Sequence, residues 1–490
     1  MIEKRKDVHS GPNLGIHLLH NVGTALATRI VTSLLGVVTF GLMARSLGAA
    51  GLGVYRTVLT LLLFSTLAFD LGLSAISLRD LAHPEVDQGG VMGNAVALRF
   101  ASATLACVLL ASGITVFGGA GPLLSGVIIA SIGWVLYQVF DVLRVVFQLK
   151  LAQKFVAIAE TAGVFIALML VAIFAALHAG PGAMLAATST GFCVTGLLGW
   201  YFATRLLPMR LRFEPQVWRY LILSGLPVAG SVILAGVQVR VDVLLLSAFR
   251  TPAEVGIYDP AIKLYELLLV VPVAFGALLL PLFTRDRHAR SRNTVDRLKA
   301  ALQINSVFSM LVCAVLLVHG EAVIQLIAGD RFLESAGPLR IVAVASVLSG
   351  TSAILRSAAV SAGRQGQMLR ADVIGASAAI VAHLILIPRF GYMGAAIGKL
   401  CGDAVTSLAA LTVFRRELGN SVLMTVLTAV SAGVGLALAL RLADASGIPW
   451  LLSSALFGCA SIGALLLVPG IRRSLRCLGS PPERSGLTAR

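Results

Sequence analysis

The chain has 490 residues, 57% of them hydrophobic and 13% charged, about half the charged fraction of an ordinary soluble domain. This composition excludes a water-soluble globular protein and implies an integral membrane protein, and the continuous apolar runs exclude an alternating porin-like barrel. The formal net charge of +16 comes without a basic-aromatic recognition module, so its basic residues are assigned to anionic lipid and no nucleic-acid partner is expected.

The charged start, "MIEKRKDVHSGPNLG", lacks a short apolar core followed by a small-residue cleavage site, so no removable signal peptide is expected. Apolar runs bounded by charges, Gly or Pro then give fourteen expected spans: 16–43, 54–78, 91–118, 123–147, 154–178, 182–204, 221–248, 255–283, 300–319, 337–361, 367–388, 392–414, 421–441 and 449–471. With the N-terminus inside, inner segments carry 25 Lys and Arg, whereas outer loops carry six: Arg45, Arg250, Arg331, Arg340, Arg389 and Arg441. That asymmetry predicts both termini on the cytoplasmic side. The six cysteines stand singly, mostly within apolar runs, and read as small hydrophobes rather than disulfide partners or metal ligands.

A shift of 203 residues lays Gly53-Val54-Tyr55 over Gly256-Ile257-Tyr258, and Ala50 over Ala253. Each block lies in the short outer loop between two spans, so spans one and two match spans seven and eight. Six spans per copy return the chain to its starting side, which makes this a parallel repeat about an axis along the membrane normal. The predicted organisation is an N-terminal six-helix lobe at 14–205, a basic Pro-containing linker at 206–217 and a C-terminal six-helix lobe at 218–416. An extra helix pair at 421–471 and a cytoplasmic tail at 472–490 follow.

Three blocks carry a family resemblance: "LGAAGLGVYRTVLTLLLFSTLAFDLGLSAISLRDLA" at 47–82, the stretch 224–285 beginning "SGLPVAGSVILAG", and "RFGYMGAAIGKLCGDAVTSLAAL" at 389–411. Together they resemble the polysaccharide flippases of the multidrug/oligosaccharidyl-lipid/polysaccharide exporter superfamily, over most of spans one to twelve. The resemblance implies two lobes around a central cavity that opens alternately to either side. It also implies transport of polyprenyl-pyrophosphate-linked oligosaccharide from the inner to the outer leaflet of a bacterial inner membrane.

Charge at membrane depth is the sharpest signal independent of that resemblance. Within the spans lie Arg29, Arg99, Arg144, Arg240, Lys263, Arg356 and Lys399, with Asp70, Asp141, Glu160, Asp242, Asp259, Glu266, Asp372 and Asp403. At ~3 kcal/mol each, fifteen lipid-facing charges would cost on the order of 45 kcal/mol, so they must pair, reach an interface or line a wet space. Asp141/Arg144, Asp259/Lys263/Glu266 and Lys399/Asp403 sit three or four residues apart, which permits a self-neutralising helix face. Arg29, Arg99, Arg240 and Arg356 have no such partner on their own helix. Arg29 lies beside a stripe of Asn21, Thr24, Thr28, Thr32, Gly36 and Thr39, which suits either close helix packing or cavity lining.

Guanidinium forks suit clustered phosphate oxygens. Arg29, Arg240, Lys263 and Arg356 are therefore expected to contact an anionic cargo. Arg56, at the outer start of span two, joins them with an interfacial anchor as the competing reading. Asp242, Asp372 and Asp403 are expected to couple transport to Na⁺ or H⁺, in line with the resemblance, or else to pair with neighbouring cations.

No Gly-x-x-x-x-Gly-Lys-Ser/Thr phosphate loop occurs, and the short loops lack the acid/base clusters that a membrane polymerase or glycosyltransferase needs. A transporter without cofactor is expected, with cation-coupled drug or metabolite efflux as the rival within the fold. Expected partners are membrane lipid and the polyprenyl-linked glycan, with polysaccharide assembly proteins as further candidates and a monomer as the expected state.

Overall fold

In the computed structural model, the described residues are 13–67, 69, 72–81, 87–118, 121–288, 293–419, 421–446 and 448–467, and among them no strand occurs. Helices α1 (Asn13–Leu67), α2 (Leu73–Leu81), α3 (Gln88–Gly118), α4 (Pro122–Leu149), α5 (Gln153–Ala176) and α6 (Pro181–Leu206) are followed by α7 (Pro215–Phe249), α8 (Pro252–His288), α9 (Asn293–Ala328) and α10 (Ala336–Ala362). The chain continues through α11 (Gln365–Val413), the single turn α12 (Arg415–Leu418), α13 (Ser421–Ala445) and α14 (Trp450–Leu467). Proline opens α4, α6, α7 and α8, where its missing N–H has no intrahelical partner to lose and its fixed φ already suits the first turn.

Among the described residues, ten helical stretches are long and apolar enough to cross a membrane, and Trp450–Ser461 is a shorter apolar one. The number falls below the fourteen expected spans partly because α1 and α11 each hold two of them, broken at Gly48 (φ 64°) and Gly391 (φ 57°). In α11 the break is a reversal. His383 meets the Ala395 carbonyl at 3.1 Å, Gly402 packs on Ala379 and Gly375 on Thr406, pairs that walk outward from Gly391 as two antiparallel arms must. Only a residue without Cβ takes that left-handed conformation at little cost. The expected span 54–78 is also divided: α1 stops at Leu67, and α2 begins at Leu73 just after left-handed Gly72 (φ 61°).

The described residues fall into two compact units. The first takes the chain up to Thr39 and Ser65–Val232. Its apolar core joins Leu73, Leu81, Met92, Phe140, Phe147, Ala159 and Leu221. Small polar residues tie α4 to α6: the Gly133 N–H donates to Ser189 Oγ at 2.9 Å, and that hydroxyl donates to the Ile129 carbonyl at 3.0 Å, so close packing and hydrogen bonding coincide.

The second unit combines Phe40–Phe64 with the chain from Ile233 onward. The first copy of the duplicated hairpin thus packs with the second. A methyl built on Gly53 would lie 1.7 Å from the Pro252 carbonyl oxygen, and one on Gly256 would lie 1.8 Å from that of Ala49. Since the repeat shift carries residue 49 to 252 and 53 to 256, the two crossings are equivalent positions about a local pseudo-two-fold axis. Arg45 fastens the same hairpin to the end of α9 by donating to the Leu326 carbonyl at 2.7 Å.

The extra helix pair docks on this second unit. Val307, Leu311 and Ala314 of α9 form a core with Ala429, Leu436 and Leu440 of α13, and His319, at a break in α9, has its ring 6.0 Å from that of Trp450.

Because a backbone carbonyl cannot yield as a side chain can, Gly53→Ala or Gly256→Ala is expected to cost about 3 kcal/mol or more. Gly113→Ala, which meets nothing within 4 Å on α3, should instead be neutral or stabilising by up to ~1 kcal/mol. Thermal unfolding of the purified variants measures the contrast.

Candidate functional site

The polar interior of the second unit gathers side chains from α1, α7, α8, α10 and α11. Arg56 comes from the arm of α1 beyond Gly48, and its side chain is only 10% exposed. Its Nε lies 2.7 Å from Asp259 Oδ1 as an ion contact without an aligned hydrogen bond, and its Nη2 donates to Glu266 Oε1 at 3.2 Å. Arg240 reaches the same Glu266 oxygen, Nη2 to Oε1, at 2.7 Å. One carboxylate oxygen therefore lies between two guanidinium groups, one from α1 and one from α7. Arg56 and Asp259 are themselves equivalent under the repeat shift of 203, so the duplicated hairpins meet through opposite charges at matching positions.

Helix periodicity orients this network. On α8, Asp259 lies one turn before Lys263 and two before Glu266, and Tyr258 two before Tyr265, so a single helix presents carboxylates to both arginines. Lys263 is half-buried and makes no ion pair with a described residue within 4 Å. The self-neutralising ladder permitted by Asp259, Lys263 and Glu266 is thus not the arrangement formed, because both carboxylates are taken by arginines from other helices.

A second cluster surrounds Asp242, whose side chain is 1% exposed. Its Oδ2 accepts from the Tyr258 hydroxyl at 2.9 Å and lies 4.0 Å from Lys399 Nζ, while its Oδ1 accepts from the Val243 N–H at 2.8 Å. The Tyr265 hydroxyl donates to Asp403 Oδ2 at 2.7 Å and lies 2.8 Å from Ser349 Oγ. Lys399 therefore reaches across to α7 rather than closing on Asp403, four residues further along its own arm.

Arg356 of α10 pairs with Asp372 of α11, and Gln238 Nε2 donates to the Asp372 carbonyl at 2.7 Å, which joins this pair to the others. Arg240 and Arg356, which lack partners on their own helices, thus find them on neighbouring ones. Arg29 and Asp70 fall outside the residues whose side chains are described. Tyr265 and Gln238 carry no signal in the sequence pattern, and Tyr258 stands out there only as part of the repeated Gly-hydrophobic-Tyr block.

The first unit has its own charge cluster. Arg144 lies 3.2 Å from Asp141 and 2.6 Å from Glu160, with its guanidinium 5.1 Å from the centre of the Phe140 ring. Arg99 is buried and donates to the Phe69 carbonyl at 3.4 Å. At the far end of the second unit, a half-open cavity of about 250 Å³ lies between Phe283, Leu298, Ala358 and Phe414. Arg364 at its edge holds the Glu417 carboxyl below its ordinary range through a direct hydrogen bond.

The family described as polysaccharide biosynthesis protein matches residues 18–286, more than half of the chain. The chain belongs to that family. A probable low-salt glycan biosynthesis flippase, Agl15 of Haloferax volcanii, is 23% identical over 171 residues, a match spanning 34% of this chain and 36% of that protein. Among solved structures, the lipid II flippase MurJ in an inward closed conformation aligns with a TM-score of 0.70 at 11% identity, covering 90% of this chain and 98% of that one. An inward-facing multidrug resistance MATE family transporter of the MOP superfamily gives 0.60 at 15% identity over 80% and 95% of the two chains. At such identities the structural likenesses establish the fold. With the family match and the long apolar helices, they make this chain a multi-pass membrane protein with that fold.

Removing the Arg56 charge leaves the buried Asp259 carboxylate without its partner and Glu266 with Arg240 alone. Arg56→Met is expected to cost about 3–5 kcal/mol, and Arg56→Met combined with Asp259→Asn less than the sum of the two single changes. A double-mutant cycle on thermal unfolding reads the coupling.

Proposed function

We propose that this protein is a flippase that moves a lipid-linked oligosaccharide with a polyprenyl-pyrophosphate headgroup from the inner to the outer leaflet by alternating access. In this reading it works in a bacterial inner membrane with both termini in the cytoplasm, as the Lys and Arg asymmetry supports. The observation that carries the cargo class is Glu266 Oε1 held between Arg56 and Arg240 at 3.2 and 2.7 Å. A phosphate oxygen bears the same charge and accepts from the same donors, and guanidinium groups bind it through paired charge-assisted hydrogen bonds.

Glu266 then acts as an internal stand-in that satisfies both arginines until the headgroup displaces it. Lys263, three residues earlier on α8, supplies a point charge to the second phosphate, and Arg29 and Arg356 add contacts along the headgroup's path. The polyprenyl tail stays in lipid throughout. Membership in a polysaccharide biosynthesis family, with a glycan biosynthesis flippase and a lipid II flippase among the similar proteins, supports this cargo.

Proteoliposomes holding a fluorescent lipid-linked oligosaccharide test the reading, with a membrane-impermeant glycosidase reporting arrival in the outer leaflet. Wild-type protein should expose the inner pool. Arg240→Gln and Lys263→Gln should slow exposure about tenfold or more at equal abundance, as expected from losing a charged hydrogen bond of about 1.5–3 kcal/mol. Exposure no faster than in empty liposomes, or variants as fast as wild type, would refute it. Unchanged lipid-linked pools in a deletion strain that retains cationic dyes would point instead to drug efflux.

A further inference from the structure

The sequence points to three carboxylates of the second unit for a coupling cation: Asp242, Asp372 and Asp403. Asp372 is engaged by Arg356. Asp403 is held by the Tyr265 hydroxyl, and Asp242 faces the ammonium of Lys399, whose side chain is 5% exposed.

The surroundings of that ammonium have the character of an ion site. Lys399 Nζ lies 4.0 Å from Asp242 Oδ2 and 3.4 Å from the Gln238 carbonyl oxygen. It also stands 4.6 Å from the centre of the Tyr265 ring, whose hydroxyl holds Asp403. Both oxygen distances exceed that of a short charged hydrogen bond, so the charge sits amid its neighbours rather than on any one of them. The neighbours are a carboxylate, a backbone carbonyl and an aromatic face, presented by α7 and α8. The first two are hard-oxygen donors, and an aromatic face attracts a desolvated cation. Asp242 is so deeply buried that it needs a positive partner, and Lys399 is the ammonium placed to supply it.

We infer that Lys399 is a tethered cation: its ammonium fills the place of a free monovalent ion between α7, α8 and the second arm of α11. The wild-type protein therefore binds no Na⁺ at Asp242. Removing the ammonium creates a Na⁺ site from Asp242, the Gln238 carbonyl and the Tyr265 ring face. The inference stands apart from the cargo reading, since it concerns a different cluster and is read without transport.

The experiment compares full-length purified protein in NaCl and in choline chloride at equal ionic strength. Wild-type melting temperature should be the same in both salts, and the protein should retain no ²²Na⁺. Lys399→Ala should show an upward shift with NaCl that saturates, is absent with choline, and disappears when Asp242→Asn is added. A Na⁺-dependent shift or ²²Na⁺ retention in the wild type would overturn the inference. So would a Lys399→Ala protein indifferent to Na⁺. If Lys399→Ala does not fold in choline, NaCl during extraction should recover folded protein, and Lys399→Ser should behave alike; failure of NaCl to rescue either variant counts against the inference.

Discussion

An arginine buried against two carboxylates is the constraint on which the second unit turns. Arg56 is short of water and must keep its charge, because a guanidinium does not lose its proton in a protein. Asp259 and Glu266 supply the opposing charge from α8. A charge pair in such surroundings is costly to break and demanding in geometry. The backbone crossing at Gly53 and Gly256 supplies that geometry by letting two helices approach until carbonyl oxygens occupy the space of a side chain.

The duplication gives this contact its form. Two copies related by a local two-fold would present like residues to one another, and like charges at matching positions would repel. The chain carries Arg at position 56 and Asp at the equivalent position 259, which converts the repulsion into attraction. The copies retain the glycines that let them cross and diverge where they touch. Through the same divergence, the hairpin 40–64 belongs to the compact unit formed by the second half of the chain.

Charge balances in number across the interior of this unit. Asp242, Asp259, Glu266, Asp372 and Asp403 are matched in number by Arg56, Arg240, Lys263, Arg356 and Lys399. On the proposed reading, an anion entering such an interior replaces a carboxylate rather than filling a positive vacancy, and Glu266, bound by two arginines through one oxygen, is the carboxylate it displaces.

Composition and hydropathy alone determined that this chain is a helical membrane protein, since a bilayer core requires long apolar helices whose backbone is satisfied internally. The shift of 203 exposed the repeat, and the cost of buried charge required partners for the charged residues within the spans. What the sequence could not decide was pairing between helices. Spacing along one helix reports only neighbours three or four residues away, so Asp259, Lys263 and Glu266 read as a closed ladder and Arg240 as unpartnered. The partners lie across distances of sixteen to more than two hundred residues in sequence, as for Arg356 with Asp372 and Arg56 with Glu266. Only the packing of α1, α7, α8, α10 and α11 brings them together, because helix contact is set by which backbones approach closely, a property of the folded whole and not of any one segment.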